Sequence, residues 1–142
     1  MQSIEVKNKD STDVLRPFST SENKISHLCC SSPSKFNDFV MIFHLQAEVC
    51  NALEIQTLER SLSVFQKRHP LLRAGIKQNA GFVLSKNPIP YRVEDYEVSP
   101  KKIDYSEEFK DLPFCCQGPL VSVKLYRPSN GVGIQHLILK VL

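Results

Sequence analysis

Tryptophan is absent from this chain, and glycine occurs only five times in 142 residues. No glycines stand in a Gly-x-x-x-x-Gly-Lys-Ser/Thr or Gly-x-Gly-x-x-Gly spacing, so neither backbone cradle for phosphates is present. No Gly-x-Ser-x-Gly nucleophile elbow occurs either. No apolar run approaches the roughly 20 residues that span a bilayer as a helix. Excess charge is also missing: the formal net charge is +3, with lysine and arginine scattered along the chain. Without a basic stripe interleaved with aromatics, a nucleic-acid interface is not expected. The first ten residues, Met1 to Asp10, hold no apolar stretch of the kind that opens a secretory signal. The expectation from these absences is a cytoplasmic protein with no membrane span.

Cysteine is present but oddly distributed, as Cys29, Cys30, Cys50, Cys115 and Cys116. Adjacent cysteines bond to each other only with strain, and Cys-Cys is not the Cys-x-x-Cys spacing of a zinc knuckle. No metal site is expected, and the five are read as reduced thiols. Cys115 and Cys116 precede a buried strand and are read as small core residues. The sequence leaves any further role of the two pairs open. Asp104, Glu107, Glu108 and Asp111 are acidic neighbours on one short helix, read as a solvated face rather than an acid/base pair.

What the chain does have is an ordinary globular composition, 42% hydrophobic and 23% charged. Its length suits one domain with a real core, residues 1–142, with residues 1–12 expected to be disordered. Ile55, Leu58, Leu62 and Phe65 recur at spacings of three and four and predict an amphipathic helix capped by Asn51. Lys67, Arg68 and His69 close it, and Pro70 stops it. A strand is expected to follow at once, from Leu72 to Lys77, turning at residues 78–81 into a second from Phe82 to Lys86.

Upstream, Ser19 and Glu22 form a capping box for a helix running to Cys30, its apolar face Ile25, Leu28 and Cys29. Asn37 to Val49 alternates. Phe39, Met41, Phe43, Leu45 and Ala47 make a face expected to be buried, while His44 lies on the other face. Downstream, Tyr91–Tyr96 is a polar edge strand, and Tyr105–Leu112 holds two turns of helix capped by Ser106. Gly118-Pro119 bends the chain into a strand from Leu120, which places Leu120 and Leu125 on opposite faces. Asn130-Gly131 turns it into a return strand from Val132 to Leu142.

Two segments carry a resemblance. Arg68-His69-Pro70-Leu71-Leu72-Arg73 after a leucine-rich helix is similar to the RHPxLR segment of the condensation-domain and acyltransferase superfamily. Phe114, then Gly118-Pro119-Leu120 and an alternating strand, resembles that family's F…xGPL segment, with Ser122 where the family often has arginine. Arg16 and the capped helix after it resemble the family's N-terminal signature.

The resemblance covers about Arg16 to Leu142 and matches the first part of a longer family domain. It implies an α+β fold: one chloramphenicol-acetyltransferase-like lobe, a mixed, mainly antiparallel sheet with helices packed on it. It also implies transfer of an acyl group from a CoA or carrier-protein thioester to an alcohol or amine. In the family the return strand runs into His-His-x-x-x-Asp-Gly, whose second histidine is the expected general base. No such string occurs in the 142 residues, so the chain is expected to be inactive alone. No catalytic, cofactor-binding or metal residue is assigned, and His44, His69 and His136 are not carried into that role. Arg16, His69, Pro70, Arg73, Gly118, Pro119 and Leu120 are implied to be architectural, with Arg73 expected to pair with a carboxylate. Expected partners are a second lobe or a second copy, on the face that lobe would cover. The alternative reading is a non-catalytic interaction module.

Overall fold

A computed structural model describes residues 14–32, 39–99 and 114–142. The expected helix at Tyr105–Leu112, the acidic group Asp104, Glu107, Glu108 and Asp111, and the expectation for residues 1–12 lie outside them. The described elements are strand β1 (Val14–Arg16), helix α1 (Thr20–Ser31), strand β2 (Met41–Val49) and helix α2 (Ile55–Arg68). A 3-10 turn (Pro70–Arg73) follows, then β3 (Ala74–Lys77), β4 (Gly81–Leu84), β5 (Tyr91–Tyr96), β6 (Val121–Pro128) and β7 (Gly133–Val141).

These strands make two sheets, β1-β4-β3 and β2-β7-β6-β5. All pairs are antiparallel except β5 with β6. The architecture is α+β, helices packed on mixed, mostly antiparallel sheets.

Register decides which residues share a face. Phe43 and Leu45 of β2 pair with Leu139 and Leu137 of β7, which pair in turn with Val123 and Leu125 of β6. All six side chains therefore stand on one side of the sheet. Helix α2 lies on that side, and its Leu58 and Leu62 pack among Val121, Val123, Leu125, Leu137 and Leu139. Leu125 is 0% exposed. As expected, Leu120 faces the other way, into a cluster with Cys29, Ile76 and Phe114 beside helix α1.

Several expectations are corrected. The β2 face Met41, Phe43 and Leu45 is not buried; these residues are 57%, 50% and 62% exposed. The alternation is there, but α2 sits over β6 and β7, and these three side chains are left open among the described residues. Ile55 and Phe65 of α2 are exposed as well, as is Leu28 of α1. Helix α2 is capped by Glu54 with no side-chain bond, not by Asn51. The reason is tertiary: the Leu53 N–H donates to Gln135 Oε1 at 2.9 Å, and the Leu53 carbonyl accepts from Arg127 at 2.9 Å. Residues 52–54 are thereby pinned outside the helix. Pro70 opens a 3-10 turn, so β3 starts at Ala74 rather than Leu72.

The thiol expectation is corrected too. Cys30 and Cys116, whose Cα atoms are 6.2 Å apart, form a disulfide. Adjacent cysteines cannot easily pair with each other, but the fold pairs one from each doublet. Cys29 is a buried thiol, whereas Cys115 is exposed rather than a core residue.

Candidate functional site

The two segments that carry the resemblance meet in space. After helix α2, His69 leaves helical geometry and the Leu72 N–H donates to the His69 carbonyl at 2.9 Å. This turn feeds Ala74 and Gly75 directly beneath the turn at residues 115–118. The Ile76 N–H donates to the Cys116 carbonyl at 2.6 Å, and Asn87 Nδ2 donates to the Gly118 carbonyl at 3.1 Å.

The backbones approach so closely that side chains are excluded. A Cβ on Gly118 would lie 2.2 Å from the Ala74 carbonyl oxygen, and one on Gly75 would lie 2.7 Å from that of Gln117. Gly118 also holds a φ of 68°, where glycine has no steric cost. The Gly118–Pro119 peptide is cis. One close approach therefore accounts for both glycines, Gly118 of the Gly-Pro-Leu turn and Gly75, two residues past the Arg-His-Pro corner.

Beyond Pro119, Leu120 immediately precedes β6, and its carbonyl accepts from the Leu142 N–H at 3.1 Å. The far end of β7 is thus fastened beside the same junction. Leu142 lines an apolar pocket together with Phe18 and Ile25 of the α1 side and Ile76 and Phe82 of the sheet beneath.

At the N-terminal signature, Arg16 forms a two-armed ion pair with Glu22 at 2.7 and 3.0 Å. Glu22 also accepts from the Ser19 N–H, and the Glu22 N–H donates to Ser19 Oγ, so the expected capping box is present. The bond from Arg16 first, then that from the Ser19 backbone, holds the Glu22 carboxyl down to a pKa of about 2. Arg73, by contrast, has no ion pair among the described residues. Its carbonyl accepts from the Ser85 N–H, and the expected carboxylate is not there.

None of the histidines lines the apolar pocket. His136 is 4% exposed in mid-strand, six residues before Leu142 and so about 20 Å from it along the strand. Its Nδ1 faces His44 Nε2 at 2.9 Å, and its Nε2 faces Ser99 Oγ at 3.3 Å. Facing imidazole nitrogens share one proton, so one ring donates and the other accepts. Burial, and secondarily His44, pushes the His136 pKa below its ordinary value. This is a satisfied sheet pair. His69 is exposed and stacks on Phe65 with ring centroids 6.1 Å apart.

Sequence reading missed the Arg127–Asp95 pair at 2.7 and 3.1 Å. Only the parallel register that sets Asp95 beside Arg127 reveals it. Among the described residues no group of three metal-ligating side chains occurs, and no helix is long and apolar enough to cross a membrane.

No protein-family model and no curated protein sequence matches the chain. Solved structures do. Tallysomycin biosynthesis protein TlmII superposes with a TM-score of 0.61 at 18% identity, over 89% of this chain and 30% of its own. The condensation domain from the monacolin K polyketide synthase MokA gives 0.58 at 11%, over 88% of this chain and 29% of its own. The four-domain nonribosomal peptide synthetase AB3403 gives 0.58 at 17%, over 89% of this chain and 10% of its own. This chain therefore spans less than a third of each of those chains. Its fold is that of part of a condensation domain.

Proposed function

We propose that this chain is the N-terminal portion of a domain that transfers an acyl group from a CoA or carrier-protein thioester to an alcohol or amine. The observation that carries the reading is the single junction made by the Arg-His-Pro corner, the Gly-Pro-Leu turn and the end of β7, on a fold shared with condensation domains. Arg16, His69, Pro70, Arg73, Gly118, Pro119 and Leu120 are architectural in this reading. They shape the capped helix start, the corner and the turn, and none touches a reacting atom. The general base is supplied by sequence outside these residues, so the 142-residue chain has no activity of its own. No cofactor is bound covalently, and the acyl-CoA or acyl-carrier thioester is the donor of the complete domain.

The exposed β2 face favours a second reading alongside the first. Met41, Phe43 and Leu45 form a row along the outermost strand of a sheet, and large apolar patches of this kind mark surfaces that another element covers. The remainder of the domain is the occupant under the first reading. A non-catalytic module would use the same face for self-association or a partner.

A thioester-release assay separates them. It is run on the 142-residue chain and on the longest reading frame that contains it. Release by the longer protein alone is the expected result. Turnover by the short chain would overturn the argument that its general base lies elsewhere, and release by neither would overturn the acyl-transfer reading. Sedimentation of the short chain tests the face: a dye-negative monomer at high concentration would sink the idea that it is uncovered.

A further inference from the structure

The pocket beside the end of β7 has a composition that selects its ligand. Its volume is about 220 Å³, and its apolar walls are Phe18, Ile25, Phe39, Ile76, Phe82 and Leu142. Two polar residues, Glu22 and Ser26, also reach it, and both are already satisfied. The Glu22 carboxylate is held by Arg16 and the Ser19 N–H. Ser26 Oγ donates to the Asn23 carbonyl at 2.8 Å.

No lining group therefore asks for a hydrogen-bond partner from a ligand. Water gains little in such a space, whereas apolar surface gains by leaving water. A cavity of about 150 Å³ already holds a benzene ring, so this half-open pocket has room for a chain of roughly six to eight carbons. Two further cavities, about 500 Å³ between Asn51, Glu54, Asp95 and Arg127 and about 240 Å³ beside Ser63, Gln66, Arg73 and Lys86, are lined mainly by polar residues and offer no such selection.

We propose that this pocket binds a short unbranched alkyl chain, the aliphatic end of the acyl group, and measures its length. That the alkyl chain belongs to an acyl group rests on the function proposed above. That the pocket takes an alkyl chain does not. Phe82 forms one wall: its ring meets Phe18 edge-on at 5.0 Å and carries the Arg16 guanidinium at 4.8 Å. Ile25 lines the same pocket from α1. Changing the bulk of either residue therefore changes the space the pocket offers.

The test is a titration of the 142-residue chain with the straight-chain alcohols from butanol to dodecanol, followed by the methyl resonances of Ile25 and Ile76. Affinity is expected to rise about fourfold per methylene, the factor for removing one from water. The rise should stop near about eight carbons, where the pocket is full. Ile25→Phe should move that break to shorter chains and Phe82→Ala to longer ones. Phe39→Ala, which also enlarges the pocket, serves where either variant fails to fold.

No shift at Ile25 or Ile76 overturns the proposal. So does a break that stays in place across the folded variants. A break with no thioester release by the longer protein keeps the alkyl site and removes only its assignment to an acyl group. Thioester release with no chain-length break removes the site and leaves the transfer reading standing.

Discussion

Helix α1 begins at a capping box, is braced by the Arg16–Glu22 ion pair and ends at the Cys30–Cys116 disulfide. Helix α2, two residues longer at Ile55–Arg68 against Thr20–Ser31, has no side-chain cap and no covalent tie. It relies on Leu58 and Leu62 sunk into the sheet, with Lys67 and Arg68 at the favourable end of its dipole. The contrast shows two ways of docking a helix. One uses local chemistry at both ends, and the other uses one buried stripe. It also accounts for how each reads as sequence. A capping box is written within four residues, while the start of α2 is set by Gln135 and Arg127, more than seventy residues away.

The contrast can be broken most decisively at Leu58, which is 4% exposed. Leu58→Ala removes the anchor of the helix with no end contacts and should cost about 2–5 kcal/mol, read by urea unfolding. Phe65→Ala on the same helix, at an exposed position, should change stability by less than about 0.5 kcal/mol. Equal costs would show that both are covered in solution, which points to a second copy over the β2 side.

The covalent tie comes next. Cys116→Ser should cost about 2–4 kcal/mol, because the bond closes a loop across 86 residues of separation. Hydrogen exchange should quicken across α1 and stay unchanged across α2. A thiol reductant should reproduce the effect in the parent chain and add nothing in the variant. If reductant leaves α1 as protected as before, then α1 is held by burial of Cys29 and Ile25, and the contrast between the helices collapses.

Much of this was legible in the sequence because the deciding physics is local. Ser19 with Glu22, the stop at Pro70, the turns at residues 78–80 and 129–130, and the opposite facing of Leu120 and Leu125 all follow from neighbours a few residues apart. What was not legible depended on distant partners. Met41, Phe43 and Leu45 alternate as a buried face should, but alternation reports which residues share a face and not whether anything lies over it. The disulfide needed one cysteine from each doublet, which spacing within a doublet cannot show. The corner and the Gly-Pro-Leu turn were each visible as segments. Their contact, and the reason Gly75 and Gly118 are both needed, came only with the third dimension.

The α1 cap itself predicts a smaller effect. Ser19→Ala should cost about 1 kcal/mol, the usual worth of a side-chain N-cap. Glu22 adds a pH signature. Its carboxyl is held at about 2 in the folded state, against an ordinary 4.5. The unfolded chain therefore takes up its proton first as acid is added. The stabilisation is fully present above about pH 4.5 and fades as the pH falls towards 2. Glu22→Gln should flatten that part of the stability curve. An unchanged acid limb would mean that the exposed ion pair is screened by solvent.

The smallest effect is expected where sequence alone pointed to a cap. Asn51→Ala should shift stability by less than about 0.5 kcal/mol, because Asn51 is exposed and lies four residues ahead of the first helical residue, Ile55. Gln135→Ala should cost more, since it strips the Leu53 N–H of its partner and frees the segment that fixes where α2 begins. The order of these two costs is the sharpest measure of the contrast. If Asn51→Ala proves the more damaging, α2 is capped locally after all, and the two helices are built alike.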